Sequence, residues 1–163
     1  VAIEEGQQKK YSVSAIIPKS DKAALKKIND AVEAAKALGK DSKWAGKLPA
    51  GLKLPLRDGD TERPEDEAYQ DSMFINCHAT TRPGVVDQGR NPILDQEEVA
   101  SGDYGYLNIS LYPYNAGGAK GVAAGFNHLM KTKTGERLSG RVSVDTAFED
   151  VDLPSGGDAS DLL

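Results

Sequence analysis

A chain of 163 residues with 39% hydrophobic and 28% charged residues has the size and balance of one globular domain. Its formal charge of −5 does not by itself point to a nucleic-acid partner, and its one cysteine, Cys77, excludes an intrachain disulfide and a cysteine-based zinc site. No segment approaches the roughly 20 apolar residues of a transmembrane helix, so we expect an intracellular protein in a reducing cytosol that does not enter membranes.

The first half of the chain predicts one strand, one helix and a long irregular segment. Lys10 to Ile17 alternates apolar and polar residues, as a strand with one buried face does. Ser20 is a suitable N-cap, and apolar residues then recur at helical spacing until Gly39, which predicts an amphipathic helix of about five turns with Gly39 as its C-cap. From Lys40 to Tyr69 prolines and glycines break the periodicity, although Leu52, Leu54 and Leu56 could form a short strand, and Asp58-Gly59 is typical of a turn.

The second half predicts three more strands. Met73 to Ala79 is followed by Arg82-Pro83-Gly84, which ends the strand, and Tyr104 to Pro113 is the clearest strand of the chain. Gly117 to Gly121 predicts a flexible link into the next strand, Val122 to Thr132. If side chains alternate strictly along that strand, one face of the strand carries Val122, Ala124, Phe126, His128 and Met130.

The end of the chain differs in composition from the body. A last strand is expected over Leu138 to Val144, and from Asp145 onward glycine, serine and aspartate leave too little apolar surface to pack. After Arg141 six acidic and no basic residues follow, so the negative charge is concentrated in a tail that we expect to be disordered. From Lys120 to Arg141, by contrast, five basic residues face one acid, and phosphates could be held there.

The strand in DYGYLNISLYPYN carries a row of tyrosines. Because successive side chains of a strand point to opposite faces, Tyr104, Tyr106, Tyr112 and Tyr114 share one face, and Leu107, Ile109 and Leu111 share the other. Bases stack on aromatic rings with about 1 to 3 kcal/mol each and without sequence readout. The alternative is that the tyrosines cover a second core layer or pack beneath the helix.

Six motifs follow one another between Lys10 and Phe148: KYSVSAIIPKSD, WAGKLP, LKLPLRDGDTERPEDEAY, PGVVD, DYGYLNISLYPYN and GGAKGVAAGFNHL. Together they resemble a phage single-stranded DNA-binding protein family formerly described as a domain of unknown function, itself similar to the replication proteins of podoviruses that bind single-stranded DNA. The resemblance implies an OB-type barrel, a phage origin and a location in the cytoplasm of the bacterial host. Family members usually carry another strand upstream of Lys10, where this sequence has Val1 to Gln8.

The resemblance and the residue patterns give one interpretation. Residues 1–148 are expected to form a mainly β domain, an OB-type five-stranded barrel with one long amphipathic helix inserted, and residues 149–163 the acidic disordered tail. The protein would coat and protect single-stranded DNA during phage replication or recombination, without catalysis, cofactor or metal. The expected DNA contacts are Tyr104, Tyr106, Tyr112, Tyr114, Lys120, Lys131, Lys133, Arg141, Trp44 and Arg82.

The family also suggests a role for the tail, which would compete with DNA for the basic groove and recruit a phage DNA polymerase or recombinase. The alternative is a tail that only improves solubility. Trp44 is as well explained by anchoring a loop as by stacking on a base. The oligomeric state is left open by the sequence.

Two other functions are alternatives to DNA binding. The carboxylates between Asp58 and Asp71 could hold a metal ion in a nuclease, although the calcium-loop pattern is absent and such a run is more often a solvated turn. A structural or adaptor protein of the virion is the other alternative. His78 and His128 belong to no serine or cysteine arrangement that the sequence establishes, and we expect both to be structural.

Overall fold

A computed structural model describes residues 10–138 of the chain. The predicted strand over 138–144 and the acidic tail therefore lie almost wholly outside the described residues. The elements are β1 (Tyr11–Pro18), α1 (Lys22–Ser42), β2 (Leu56–Asp58), α2 (Gly59–Glu62), β3 (Ser72–Ala79), β4 (Gly84–Val86), β5 (Tyr104–Ala116) and β6 (Ala119–Lys133), with short 3-10 turns at Glu67–Tyr69 and Gln96–Glu98. Between residues 10 and 138, no helix combines the length and apolar character that crossing a bilayer requires.

The strands form one open, mixed sheet in which β6 is central. β5 pairs with β6 antiparallel along nearly their whole lengths. The other edge of β6 pairs in parallel first with β3, at Cys77, and then with β4. β3 in turn pairs antiparallel with β1 and β2. The mainly β prediction is confirmed at this level.

Six strands are present among the described residues, where the sequence analysis counted five in the whole chain. β4 was not predicted, and β2 begins at Leu56, where the possible short strand over Leu52, Leu54 and Leu56 ends; each is three residues long. Three residues are too few for alternation to become visible in a sequence. Asp58-Gly59, predicted as a turn, is the start of the one-turn helix α2, and the Asp58 carboxylate caps that helix by accepting from the Asp60 amide at 2.9 Å.

Helix α1 begins and ends at other residues than predicted. Asp21 rather than Ser20 is the N-cap, and its carboxylate accepts a hydrogen bond from the Ala24 amide at 3.2 Å. Gly39 lies inside the helix, which continues to Ser42. A Cβ atom on Gly39 would lie 2.5 Å from the Cβ atom of Pro113 and 2.7 Å from the Trp44 ring. Glycine is therefore required here for close packing of α1 on β5 and not as a C-cap.

The core lies between α1 and one face of the sheet, which we call the inner face. One buried cluster joins Ala35 of α1, Trp44 and Val122 of β6. A second joins β3 to β6 through Ile75, Cys77 and Ala124, and the aliphatic side chains of β1 and β5 pack against it. Burial raises the pKa of the Cys77 thiol to about 11, so this cysteine is an unreactive part of the core.

The β5–β6 hairpin is tighter than the sequence analysis predicted. Its turn consists of Gly117 and Gly118, with φ of 57° and 85°, between Ala116 and Ala119. Two consecutive positive φ angles are what a two-residue turn of matching twist needs, and glycine adopts them without strain. The predicted flexible link is thus a short turn that fixes the register of two long strands.

The pairing of β5 with β6 has two irregularities, and because of them some β6 side chains lie on the other face of the sheet than predicted. Asn127 has no partner on β5, because Asn108 pairs with His128 and the next residue, Ile109, pairs with Phe126. Thr132 has no partner either, because Tyr104 pairs with Lys133 and Gly105 pairs with Lys131. Each extra residue reverses the alternation that follows it. His128 and Met130 consequently lie on the outer face, opposite to Val122 and Ala124, and not on the same side as predicted.

Candidate nucleic-acid interface

The tyrosines of β5 lie on the outer face of the sheet, away from α1. Tyr106 is 73% exposed, Tyr104 60% and Tyr112 47%, whereas Leu107, Ile109 and Leu111 point to the inner face, the last two packing against the core cluster of β3 and β6. Tyr114 is half-buried. The alternative of a second core layer therefore fails. We call Tyr104, Tyr106, Tyr112 and Tyr114 the tyrosine row.

Lys133 lies at the first end of the tyrosine row. It is opposite Tyr104 in the antiparallel register, and its ammonium nitrogen lies 5.3 Å from the centre of the Tyr104 ring. A cation above an aromatic face at this distance is held by the ring quadrupole. The pair combines a flat ring, with its second face free of Lys133, and a positive charge, which are the two features that bind an unpaired nucleotide.

The middle of the row is polar. The Asn127 side chain, placed there by the bulge, donates hydrogen bonds to Asn108 Oδ1 at 2.9 Å and to Ser110 Oγ at 2.8 Å. These three side chains separate Tyr104 and Tyr106 from the other two tyrosines. The row is therefore two stacking surfaces joined by a polar bridge.

Small residues of β6 lie opposite the second pair of tyrosines. Tyr112 is opposite Ala123, and Tyr114 is opposite Gly121. A Cβ atom on Gly121 would lie 2.7 Å from the Tyr114 hydroxyl oxygen and 2.5 Å from the carbonyl oxygen of Lys53. The ring of Tyr114 thus lies over Gly121 and reaches across β6. This role of the small residues was not predicted, although GVAAG places Gly121, Ala123 and Gly125 on one face by simple alternation.

Lys131, predicted as a phosphate contact, is engaged within the protein. Its ammonium group lies 3.0 Å from the Asp103 carboxylate and donates to the Glu98 carbonyl oxygen. Burial alone would raise the pKa of Asp103, but hydrogen bonds from the Ala100 and Gly135 amides, together with Lys131, outweigh it and lower this pKa. This ion pair holds the end of β6 against the start of β5.

The remaining predicted cations occupy three different situations. Lys120 is opposite Asn115 in the β5–β6 register, and both lie on the inner face, whereas Tyr114 lies on the outer face. Arg82 is exposed in the turn between β3 and β4, two residues before Gly84, whose partner on β6 is His128. Arg141 lies outside the described residues. Lys133 is thus the predicted cation that the structure places directly on the tyrosine row.

Trp44 is a correction to the predicted contacts. It is 4% exposed and part of the core, and its indole nitrogen donates to the Tyr114 carbonyl oxygen at 3.1 Å. A ring enclosed in this way has no face to offer to a base. Trp44 instead anchors the segment after α1 to the strand that carries the tyrosine row.

The acidic segment from Asp58 to Asp71 is used for local structure. Lys19 contacts Asp58 at 3.0 Å and Asp60 at 2.6 Å, and these contacts lower the pKa of both carboxyl groups. Asp60 also accepts from the Asp71 amide, and Glu62 pairs with Arg57. Within the described range, no three histidine, cysteine or acidic side chains are grouped as a metal site would need.

A second aromatic and cationic cluster on the outer face was not predicted. Phe74 of β3 is fully buried beneath Tyr69, in an edge-to-face contact at 5.1 Å, and beneath two arginines. The guanidinium carbons of Arg57 and Arg63 lie 5.2 and 5.7 Å from the centre of the Phe74 ring. These residues are separated along the chain, so only the pairing of β2 with β3 brings them together.

Comparison with known proteins identifies the family of the chain. A family model described as "Enterobacter phage Enc34, ssDNA-binding protein" matches residues 1–159. The solved structure of the single-stranded DNA-binding protein from bacteriophage Enc34 in complex with ssDNA is 26% identical, with a TM-score of 0.72 over 85% of this chain and 80% of that one. Another structure of the Enc34 protein gives a TM-score of 0.68 over 87% and 79%. The resemblance predicted from the motifs is confirmed.

A more distant likeness concerns the fold alone. The single-stranded DNA-binding protein gp2.5 of bacteriophage T7 is 18% identical, with a TM-score of 0.53 over 92% of this chain and 85% of that one. No curated protein sequence matches the chain.

Proposed function

Because the chain belongs to the family of single-stranded DNA-binding proteins described for Enterobacter phage Enc34, we propose that it binds single-stranded DNA on the outer face of β5 and β6. The observation that carries the proposal is the tyrosine row. Three of its rings are between 47% and 73% exposed, on a strand whose alternate residues pack toward the core. Bases would stack on these rings, and Lys133 would neutralise a phosphate beside Tyr104.

Binding of this kind is tolerant of sequence. Every base has a flat face to stack, whereas a reader of sequence would need many polar groups aimed at base edges. Among the described residues along the tyrosine row such groups are few, and three of them, Asn108, Ser110 and Asn127, are bonded to one another in the bridge. Affinity should fall with salt, because each neutralised phosphate of a single strand contributes a slope of about −0.7 to log K against log salt.

The biological role follows from the ligand. We propose that the protein coats single-stranded DNA exposed during phage replication or recombination, in the cytoplasm of the host cell. The mixed sheet and its similarity to the Enc34 structures support an OB-type domain over residues 1–148. Residues 149–163 would form an acidic tail that competes with DNA and recruits a polymerase or recombinase, since 149–161 carries five acids and no base.

A titration tests the ligand directly. Fluorescein-labelled poly-dT and a labelled duplex of equal length are titrated with the full chain, and anisotropy is measured at low and high salt. Tight, salt-sensitive binding of poly-dT and much weaker binding of the duplex are expected. Equal binding of both would favour a structural or adaptor protein, and loss of the labelled strand on addition of Mg²⁺ would favour a nuclease.

A further inference from the structure

A groove of about 260 Å³ opens on the outer face next to the tyrosine row. It is lined by Lys53 and Arg57 on one side, by Asn76 and His78 of β3, and by Tyr114. We name it the side groove. We propose that it binds one nucleotide of the same DNA strand, with the base against Tyr114 and the phosphate near Lys53 and Arg57; this inference rests on the proposed function.

The side groove is continuous with the tyrosine row through the sheet register. His78 lies beside Gly125 of β6, and Gly125 lies opposite Ser110 of β5. Ala123, which also lines the side groove, lies opposite Tyr112. A strand that follows the row to Tyr112 can therefore cross β6 over small side chains and enter the side groove, with no bulky residue in between.

Tyr114 faces the side groove. Its ring lies over Gly121 with the hydroxyl group toward the backbone of Lys53, which explains why it is half-buried although the other three rings are open. A base that enters the side groove meets the face or edge of this ring. Asn76 is half-buried and His78 exposed, so both present hydrogen-bonding groups beneath the base.

Lys53 is held at the mouth of the side groove by its backbone. Its amide donates to the Lys120 carbonyl oxygen at 3.0 Å, and its own carbonyl oxygen accepts from the Val122 amide at 2.9 Å. The side chain is exposed, and within residues 10–138 its ammonium group forms no ion pair. A fixed backbone with an uncommitted charge is suited to a backbone phosphate.

Arg57 supplies a second positive charge, which forms an ion pair with Glu62 in the free protein. Its guanidinium group stacks on Phe74 and pairs with Glu62. Both side chains of the pair are partly exposed, at 45% and 35%, so a phosphate can replace the Glu62 carboxylate without burying a charge. Removal of the Glu62 charge should then favour DNA.

The size of the side groove limits what it can hold. Pockets for drug-sized ligands measure roughly 300 to 1,000 Å³, and this one is smaller and open. It accommodates one base with its phosphate outside, and excludes a duplex. Occupation requires an oligonucleotide long enough to reach it after covering the tyrosine row, which makes DNA length the variable that separates the two sites.

The test uses the full chain and dT oligonucleotides of increasing length, from about 4 to 16 nucleotides, the range of site sizes of OB-type domains. Lys53→Gln and His78→Ala are compared with Lys40→Gln, an exposed lysine on α1, on the other side of the sheet. Both groove variants should bind the shortest oligonucleotides normally and the longer ones about 5-fold more weakly, the effect of one lost hydrogen bond or charge contact to the nucleotide. Glu62→Gln should bind the longer ones more tightly, and Lys40→Gln should bind all lengths like the parent chain.

A covalent readout supports the titration. Oligonucleotides carrying 5-iododeoxyuridine are photo-crosslinked, and the modified peptides are identified by mass spectrometry. Crosslinks to Tyr114 or His78 that appear only with the longer strands are expected. If the parent chain binds dT but Lys53→Gln and His78→Ala match it at every length, the side groove is refuted while the tyrosine row stands; if the parent chain does not bind dT, the proposed function itself fails.

Discussion

The two faces of β5 carry side chains with opposite tasks. On the inner face Ile109 and Leu111 pack against the core, and on the outer face the tyrosine row meets solvent. The contrast is sharpest between Leu111, which packs against both core clusters, and its neighbour Tyr112, which is 47% exposed. One strand thus contributes to the core through its odd positions and, in the proposed function, provides a binding surface through its even positions.

The largest effect is expected on the inner face. Leu111→Ala removes an aliphatic side chain that bridges the two core clusters, and should lower the free energy of unfolding by about 2 to 4 kcal/mol. Tyr112→Ala is the matched control and should cost much less stability, because its ring is half in solvent. Urea unfolding followed by circular dichroism measures both; equal losses would mean that the two faces do not differ in this way.

The outer face should show the converse behaviour. Tyr106→Ala should weaken poly-dT binding by about 1 to 3 kcal/mol, the contribution of one stacked base. Because the Tyr106 ring is 73% exposed, the free energy of unfolding should change by no more than about 0.5 kcal/mol. Anisotropy titration and urea unfolding of the same preparation decide; normal DNA affinity in this variant would remove Tyr106 from the interface.

The ion pair of Asp103 and Lys131 gives a prediction that depends on pH. Asp103→Asn should destabilise the domain at pH 7 by about 1 to 3 kcal/mol, since hydrogen bonds to a charged group are lost. The pKa of Asp103 is lower in the folded chain than its value of about 3.9 in the unfolded chain. The ionised carboxylate therefore stabilises the fold fully at pH values above the unfolded pKa, and this stabilisation is lost as the pH falls through the folded pKa. Unfolding curves of the two proteins should converge in acid; a gap that stays constant would contradict the role given to this carboxylate.

The smallest effect separates Lys133 of β6 from Lys40 of α1. Lys133→Gln should reduce the salt dependence of poly-dT binding by about 0.7 in slope, the contribution of one phosphate. Lys40→Gln, which removes the same charge from the helix side, should leave the slope unchanged. Affinities measured at four or five salt concentrations give the slopes, and identical slopes for the two variants would show that Lys133 acts only through the total charge of the chain.

The sequence was most informative where alternation is long and regular. β1, β3, β5, β6 and α1 could all be predicted, and so could the face of the tyrosine row, because thirteen residues of β5 keep one period without interruption. The reversal at Asn127 could not, since a bulge is decided by the partner strand. Gly39 was mistaken for a C-cap because its contact with Pro113 exists only in three dimensions.

The side groove shows why part of the interface was missed. Its lining comes from the segment after Trp44, from β3 and from the hairpin, which are far apart in sequence. Arg57, which lines the side groove, directly precedes an acidic stretch, so the net charge of that part of the sequence conceals it. Only the pairing of β2 and β6 with β3 places these residues beside the tyrosines.

Tyrosine nitration with and without poly-dT tests the central claim most directly, because Tyr11 and Tyr69, which are half-buried and lie outside β5, serve as internal controls. In the free chain the exposed Tyr104, Tyr106 and Tyr112 should react readily. Saturating poly-dT should protect these three while the reactivity of Tyr11 and Tyr69 stays the same. Undiminished nitration of β5 in a chain that is fully bound to DNA would contradict the account.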